Sequence, residues 1–319
     1  MSRVLLTTVC DFLKQKDNFL ILTHRSPDGD TLGSGYALMF ALKSLGKKAR
    51  VVCGDEIPTK YAYFTDAIKM DELDTKKTVI AVDVADIKLL GSIASEYEGK
   101  IELSIDHHKT NTNYAGISYV DDTRGANCEI IYEIIKMLGV EITVNIANAL
   151  YTGLSTDTGC FKYSNTTPNT HMVAAELMKI GIDSSKIDRI MFETKSMQRI
   201  NLEKAALNNL SVYEGGKIAI CAISREEFEK TGCKDDDFEG ITAISRAVEG
   251  VLIAATMREL KSGRVKVSIR SFEPVDAALF CKKLGGGGHA RAAGCEIDGD
   301  IFKAKETILN LAKNVLKEI

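Results

Sequence analysis

At 319 residues, 45% hydrophobic and 27% charged, the chain exceeds one ordinary domain and has enough apolar side chains for two cores. A net charge of −3 offers no basic excess for coating long duplex DNA, and no apolar run approaches the ~20 residues that span a bilayer. A small anionic substrate held by local cations stays compatible with that balance, whereas a membrane partner does not.

Met1 to Asp17 interleaves basic and apolar residues without a small-residue cleavage site. It reads as an amphipathic helix, not a signal peptide. Short apolar runs at 18–23, 49–53, 78–82 and 101–105 predict strands, with a helix over 31–45 that Gly46 ends. Alternating strands and helices predict an α/β first domain, a parallel sheet flanked by helices. Helical spacing continues at 125–138, 143–154, 168–180 and 185–210. Strands are expected again at 210–213, 217–223, 251–258, 264–270 and 294–297, a helix near 274–284, and a last amphipathic helix reaching Ile319. The predicted division is 1–190 for the first domain, 191–205 for a linker helix region and 206–319 for a smaller α/β second domain. Eight cysteines without a C-x-x-C pair predict reduced thiols in a cytoplasmic protein.

The polar residues gather just after the predicted strands. His24-Arg25-Ser26-Pro27-Asp28-Gly29-Asp30 packs His24, Asp28 and Asp30 into one strand-to-helix turn, Asp83 follows TVIAV, and Asp106-His107-His108 follows IELSI. Asp157 closes a helix that otherwise reads as core, where a carboxylate is costly unless paired or metal-bound. Asp86 is better explained as a helix cap. Strand ends of an open α/β sheet converge on one crevice, so these separate pieces can meet. Mixed carboxylate and imidazole groups suit Mn²⁺ or Mg²⁺ better than structural zinc. Two cations ~3.5–4 Å apart, with Asp83 able to bridge them, clamp an in-line phosphoryl displacement by water.

In the second half, Gly285-Gly286-Gly287-Gly288-His289 reads as a backbone nest for an anion, with Arg270 and Ser271 supplying a guanidinium and a hydroxyl; Arg258 and Arg291 are weaker candidates. The glycines follow a helix pattern and lack the P-loop Lys-Ser/Thr, which excludes dinucleotide-fold and ATP-loop readings.

THRSPDGDTLGS, DVAD, DHH and GLSTDTG resemble the four motifs of the DHH phosphoesterases, and GGGGHARAAG resembles the signature of their DHHA1 domain. Length and layout resemble the small nano-RNases that also act on 3′-phosphoadenosine 5′-phosphate (pAp). The resemblance implies a DHH domain and a DHHA1 domain with a cleft between them, Mn²⁺ as the preferred pair of ions, and often a homodimer. By motif, His24, Asp28 and Asp83 would hold one ion, and Asp30, Asp83, His107 and Asp157 the other. His108 would face the scissile phosphate, Asp106 would orient the neighbouring imidazole, and Arg270, Ser271, Gly286, Gly287, Gly288 and His289 would bind the far end of the substrate. The implied activity is hydrolysis of short oligoribonucleotides, linear dinucleotides such as pApA and pGpG, or pAp. A RecJ-like single-strand exonuclease and a metal-dependent nucleotide- or RNA-binding module without turnover are the alternatives.

Overall fold

The structure, a computed structural model, describes residues 4–67, 69–234, 238 and 240–318. Residues 1–3 of the expected N-terminal helix, and Ile319 at the end of the last one, lie outside them. The chain divides into two compact units, Met1–Thr194 and Lys195–Ile319. No helix among the described residues is long and apolar enough to cross a membrane.

The first unit opens with α1 (Leu6–Gln15), β1 (Phe19–Thr23), α2 (Gly29–Ser44), β2 (Ala49–Cys53) and a short α3 (Ala62–Thr65). It continues through β3 (Thr78–Val82), a short α4 (Ala94–Tyr97), β4 (Leu103–Asp106), β5 (Ile117–Val120), α5 (Asn127–Met137), α6 (Val144–Asp157), α7 (Pro168–Lys179) and α8 (Ser184–Asp188). The five strands form one parallel sheet in the order β2-β1-β3-β4-β5. β1 and β3 are buried along their whole length, as apolar runs covered on both faces should be. One face packs on α1, α2, α5 and α6 through residues such as Phe19, Ile21, Leu38, Ile134 and Leu150; Leu20, Leu22, Val79 and Leu90 cover the other.

α6 runs beside α2 and α5, and glycines let the three helices touch. A Cβ on Gly33 would stand 2.4 Å from the Ala149 carbonyl oxygen, and one on Gly153 would stand 2.2 Å from Cys128 Sγ. Because α2 is buried on nearly all sides, no amphipathic stripe marks it.

The second unit holds α9 (Met197–Asn208), β6 (Leu210–Tyr213), β7 (Ile218–Ile223), α10 (Arg225–Thr231), α11 (Thr242–Arg246), β8 (Ile253–Glu259) and β9 (Arg264–Ser271). α12 (Ala277–Lys282), β10 (Gly287–His289), β11 (Ala292–Asp298) and α13 (Ile301–Lys317) complete it. Its sheet runs β10-β11-β9-β8-β7-β6, antiparallel except for the β7–β8 pair. Ile220, Met257, Val267 and Ile269 bury one face against α12 and α13.

Three expectations need correction. The helix expected over 185–210 is broken: α8 runs into a π-turn at Arg189–Glu193, Thr194 turns extended, and Ser196 caps α9 by accepting from the Arg199 amide. β5 is a strand that the sequence reading lacked. Gly287–His289, read as a nest, pairs with Ala292–Gly294 as a strand.

Candidate metal centre

Each ligand candidate is delivered by a strand end or helix end of the first unit. His24 follows β1. Asp28 caps α2, its Oδ1 accepting from the amides of Asp30 (3.0 Å) and Thr31 (3.1 Å). Asp30, in the first turn of α2, is buried against the start of α5, where the Asn127 and Cys128 amides donate to it at 2.6 and 2.9 Å. A helix N-terminus, with its free amides and positive dipole end, is a natural seat for a buried carboxylate. Asp83 leaves β3 in the left-handed region, φ +58°, an uncommon conformation for a non-glycine residue. Asp157 is the last residue of α6.

These groups converge around Asp83. Its Oδ2 lies 3.7 Å from His24 Nε2, which is 3.6 Å from Asp28 Oδ1. Its Oδ1 lies 3.5 Å from His107 Nε2, which is 3.7 Å from Asp30 Oδ2 and 3.8 Å from Asp157 Oδ2. His24, Asp28 and Asp83 form one cluster able to hold a cation; Asp30, His107 and Asp157 form another, and Asp83, His107 and His108 a third. Asp83 therefore turns one oxygen toward each side.

The two imidazoles are presented alike. His24 Nδ1 sits 2.8 Å from the Arg25 carbonyl and His107 Nδ1 sits 3.2 Å from the Arg124 carbonyl. A ring nitrogen facing a carbonyl carries the proton, which leaves each Nε2 as a lone pair aimed into the cluster. Asp83 Oδ1 and His107 Nε2 are buried without a hydrogen-bond partner. Burying a polar atom unpaired is costly, and a cation between these two would satisfy both. The donor set fits a hard or borderline divalent ion.

The carboxylates also repel one another. Burial, then the charges of Asp30, Asp28, Asp106 and Asp157, raise Asp83 well above the ordinary carboxylate range. Burial raises Asp30 as well. Burial and the neighbouring Asp30 push Asp157 up to about 7.

His108 has a separate role. Its Nδ1 donates to Asp106 Oδ1 at 2.8 Å, and its side chain is 44% exposed. That hydrogen bond to Asp106 raises the His108 pKa. Asp106 also accepts from the His107 and His108 amides, and its Oδ2 accepts from Asn111 Nδ2 at 2.7 Å. Burial alone would raise the Asp106 carboxyl, but these donors hold it below its usual value. Asn111, Asn127, Cys128 and the Arg124 carbonyl thus orient the ligand candidates, and the sequence reading named none of them for it. Asp86 caps the turn after β3 as expected, accepting from the Lys88 amide.

The second-unit candidates sit differently from their reading. Ser271 is buried, and its Oγ lies 2.9 Å from the Val275 carbonyl and 3.0 Å from the Ala290 carbonyl, so its proton is spent on backbone. Gly286 donates its amide to Cys281 O, and a Cβ there would stand 2.2 Å from the Gly294 carbonyl oxygen. Gly288 has φ +146° and equally little room. Close approach of two strands explains these glycines. Gly287, Gly288 and His289 are exposed, while Arg270 is half-buried beside the same hairpin. Arg258 is buried against the rings of Phe228 and Phe238, and Arg291 ties down the preceding turn through Val275 O and Glu273.

Residues 18–154 match the model of the DHH family, N-terminal domain, and residues 215–318 match the DHHA1 domain. A bifunctional oligoribonuclease and PAP phosphatase NrnA from Thermus thermophilus is 35% identical over 305 residues, covering 93% of this chain and 89% of its own. The chain belongs to the DHH/DHHA1 phosphoesterase family. A second such relative, the Bacillus subtilis NrnA of the same description, is 26% identical over 288 residues, covering 88% of this chain and 90% of its own. The crystal structure of an exopolyphosphatase-related protein from Bacteroides fragilis shares the fold, with a TM-score of 0.84 at 24% identity over 97% of this chain and 95% of that one. As a DHH phosphoesterase the chain is a hydrolase of a metal-dependent family, and its aspartate and histidine clusters are able to hold the metal.

Proposed function

We propose that the chain hydrolyses short oligoribonucleotides and linear dinucleotides, and removes the 3′-phosphate of pAp, with a pair of Mn²⁺ ions. The observation that carries this reading is Asp83: buried, held left-handed, one oxygen unpartnered, and turned toward a cluster on either side. His24, Asp28 and Asp83 would hold one ion, and Asp30, Asp83, His107 and Asp157 the other. Such ions supply charge neutralisation at the phosphoryl oxygens and a nucleophile from water at neutral pH.

The chain's own groups do the rest. Asp106 fixes the His108 ring by its Nδ1 proton, so Nε2 is the atom presented to substrate, and the raised pKa lets it hold a proton near a phosphate oxygen. In the second unit, Arg270 and His289 are the candidates for a second phosphate or the far nucleotide, with Gly286, Gly287 and Gly288 shaping the hairpin that carries His289. Ser271 holds that hairpin in place. The relatives that share nearly the whole chain act, by their names, on oligoribonucleotides and PAP, which supports the short-substrate reading.

The test compares Mn²⁺-supplemented turnover of pAp, pApA, pGpG and progressively longer RNA and DNA strands. A steep fall with length is expected; sustained rates on long strands would replace this reading with a processive exonuclease. Asp83→Asn should lower Mn²⁺-dependent turnover by more than about 100-fold, since it removes a charge that both clusters share.

A further inference from the structure

Beyond Asp157 the backbone turns the wrong way for L-residues. Gly159, Cys160 and Phe161 have φ of +58°, +58° and +62° in succession, and two of the three carry side chains that resist that region. The run is one left-handed turn. The amides of Lys162 and Tyr163 donate to the Thr158 carbonyl, both at 3.0 Å, and the Phe161 amide donates to Thr158 Oγ1 at 3.2 Å. It folds the chain back so that the Tyr163 ring lies flush on Gly159, where a Cβ would stand 2.4 Å from Tyr163 Cζ. Only glycine admits the ring there.

The surrounding frame is fixed from several sides. Asn165 Nδ2 lies 2.8 Å from the Gly125 carbonyl, 3.1 Å from that of Asp157 and 3.3 Å from Asp157 Oδ2, so the loop is tied to the metal cluster itself. Thr167 and Thr170 form a capping box at the start of α7. Thr170 and Asn169 donate to the fully buried Glu129, each at 2.6 Å. Phe161 stacks on His171, ring centroids 5.3 Å apart and 26° between planes. With all this around it, Tyr163 is still 62% exposed. The strained turn and its hydrogen-bonded frame thus carry an exposed aromatic ring.

We infer that Tyr163 is a base-stacking platform: the nucleobase next to the reacting phosphate lies on its open face. A planar ring backed on Gly159, in a loop whose Asn165 bonds the Asp157 carboxylate, matches the one planar apolar part that a nucleotide has. Stacking on a single ring is tolerant of base identity, so the platform selects nucleotides over base-free phosphoesters without choosing strongly among purines and pyrimidines. This inference rests on the short-nucleotide reading above.

The chain contains no Trp, so Tyr163→Trp places a single indole at the platform. In full-length protein with Mg²⁺, adenosine 5′-monophosphate should quench its fluorescence saturably and ribose 5-phosphate should not. In turnover with Mn²⁺, Tyr163→Ala should raise KM for pApA about tenfold, the size expected of one lost stack. Tyr163→Phe should match the parent, and neither variant should change KM for a dinucleotide analogue lacking both bases. Equal quenching by the sugar phosphate, or an unchanged KM in Tyr163→Ala, overturns the platform. Absence of turnover by the parent chain on every phosphoester would instead strike the preceding reading, and the quench by the mononucleotide would still decide this one.

Discussion

Asp106 is fully buried and spends both carboxylate oxygens, Oδ1 on two amides and the His108 ring, Oδ2 on Asn111. Removing the Asn111 amide leaves a buried acceptor short of a donor, at a cost of about 1–3 kcal/mol, and loosens the residue that sets the His108 ring. Asn111→Ala should therefore lower kcat by about 10–100-fold with KM nearly unchanged, as steady-state assays on pApA would show. A variant that lost only thermal stability would mark Asn111 as structural. The residues that converge on Asp83 were legible as candidates because Asp and His at strand ends are chemically conspicuous. Asn111 was not, since one asparagine in a polar loop looks like any other turn residue until the fold brings it back to Asp106. Ser271 failed in the opposite sense: a serine beside an arginine suggests an anion site, and only its two carbonyl neighbours reveal where the hydroxyl proton goes.

At the level of elements, the candidate metal centre depends on how closely α2, α5 and α6 approach. A Cβ on Gly153 would meet Cys128 Sγ at 2.2 Å and Asp30 Oδ1 at 2.8 Å, neither able to move without shifting the α5 start that holds Asp30. Gly153→Ala should cost about 1–3 kcal/mol by overpacking and weaken Mn²⁺ binding, measured by urea unfolding and by metal titration. Unchanged metal affinity would show that Asp30 is placed independently of the helix contact. Most strands and helices were readable from apolar runs and caps. β5 has four residues at a sheet edge, with Ser118 breaking its apolar run, and β10 is mostly glycine, so neither shows the longer apolar run that marks a buried strand. The break before α9 turns on a single serine cap in an otherwise helical stretch.

For the whole molecule, the raised carboxylates give stability a definite slope with pH. Asp157, lifted to about 7, and Asp83 and Asp30, lifted by burial and mutual repulsion, bind more protons folded than unfolded. The metal-free protein should therefore lose stability as pH rises from about 4 to about 7, the window between the ordinary and the raised value for Asp157. A divalent cation displaces those protons, so the increase in melting temperature on adding Mn²⁺ should be larger at pH 8 than at pH 5.5. Calorimetry with and without chelator checks both signs, and a cation effect independent of pH would mean that these carboxylates do not receive it. The two units have separate cores, so unfolding need not be a single transition, and the cation should shift the one belonging to Met1–Thr194.

The spread of the centre along the chain has a consequence during synthesis. His24 and Asp28 leave the ribosome more than a hundred residues before Asp157, which closes α6, and Asp83 takes its position only once β3 lies between β1 and β4. A nascent chain that ends before α6 lacks one of the carboxylates gathered around His107, and contacts so distant in sequence form late. High-affinity cation uptake should thus require synthesis through the end of α6, and fragments released earlier should gain little protection from the ion.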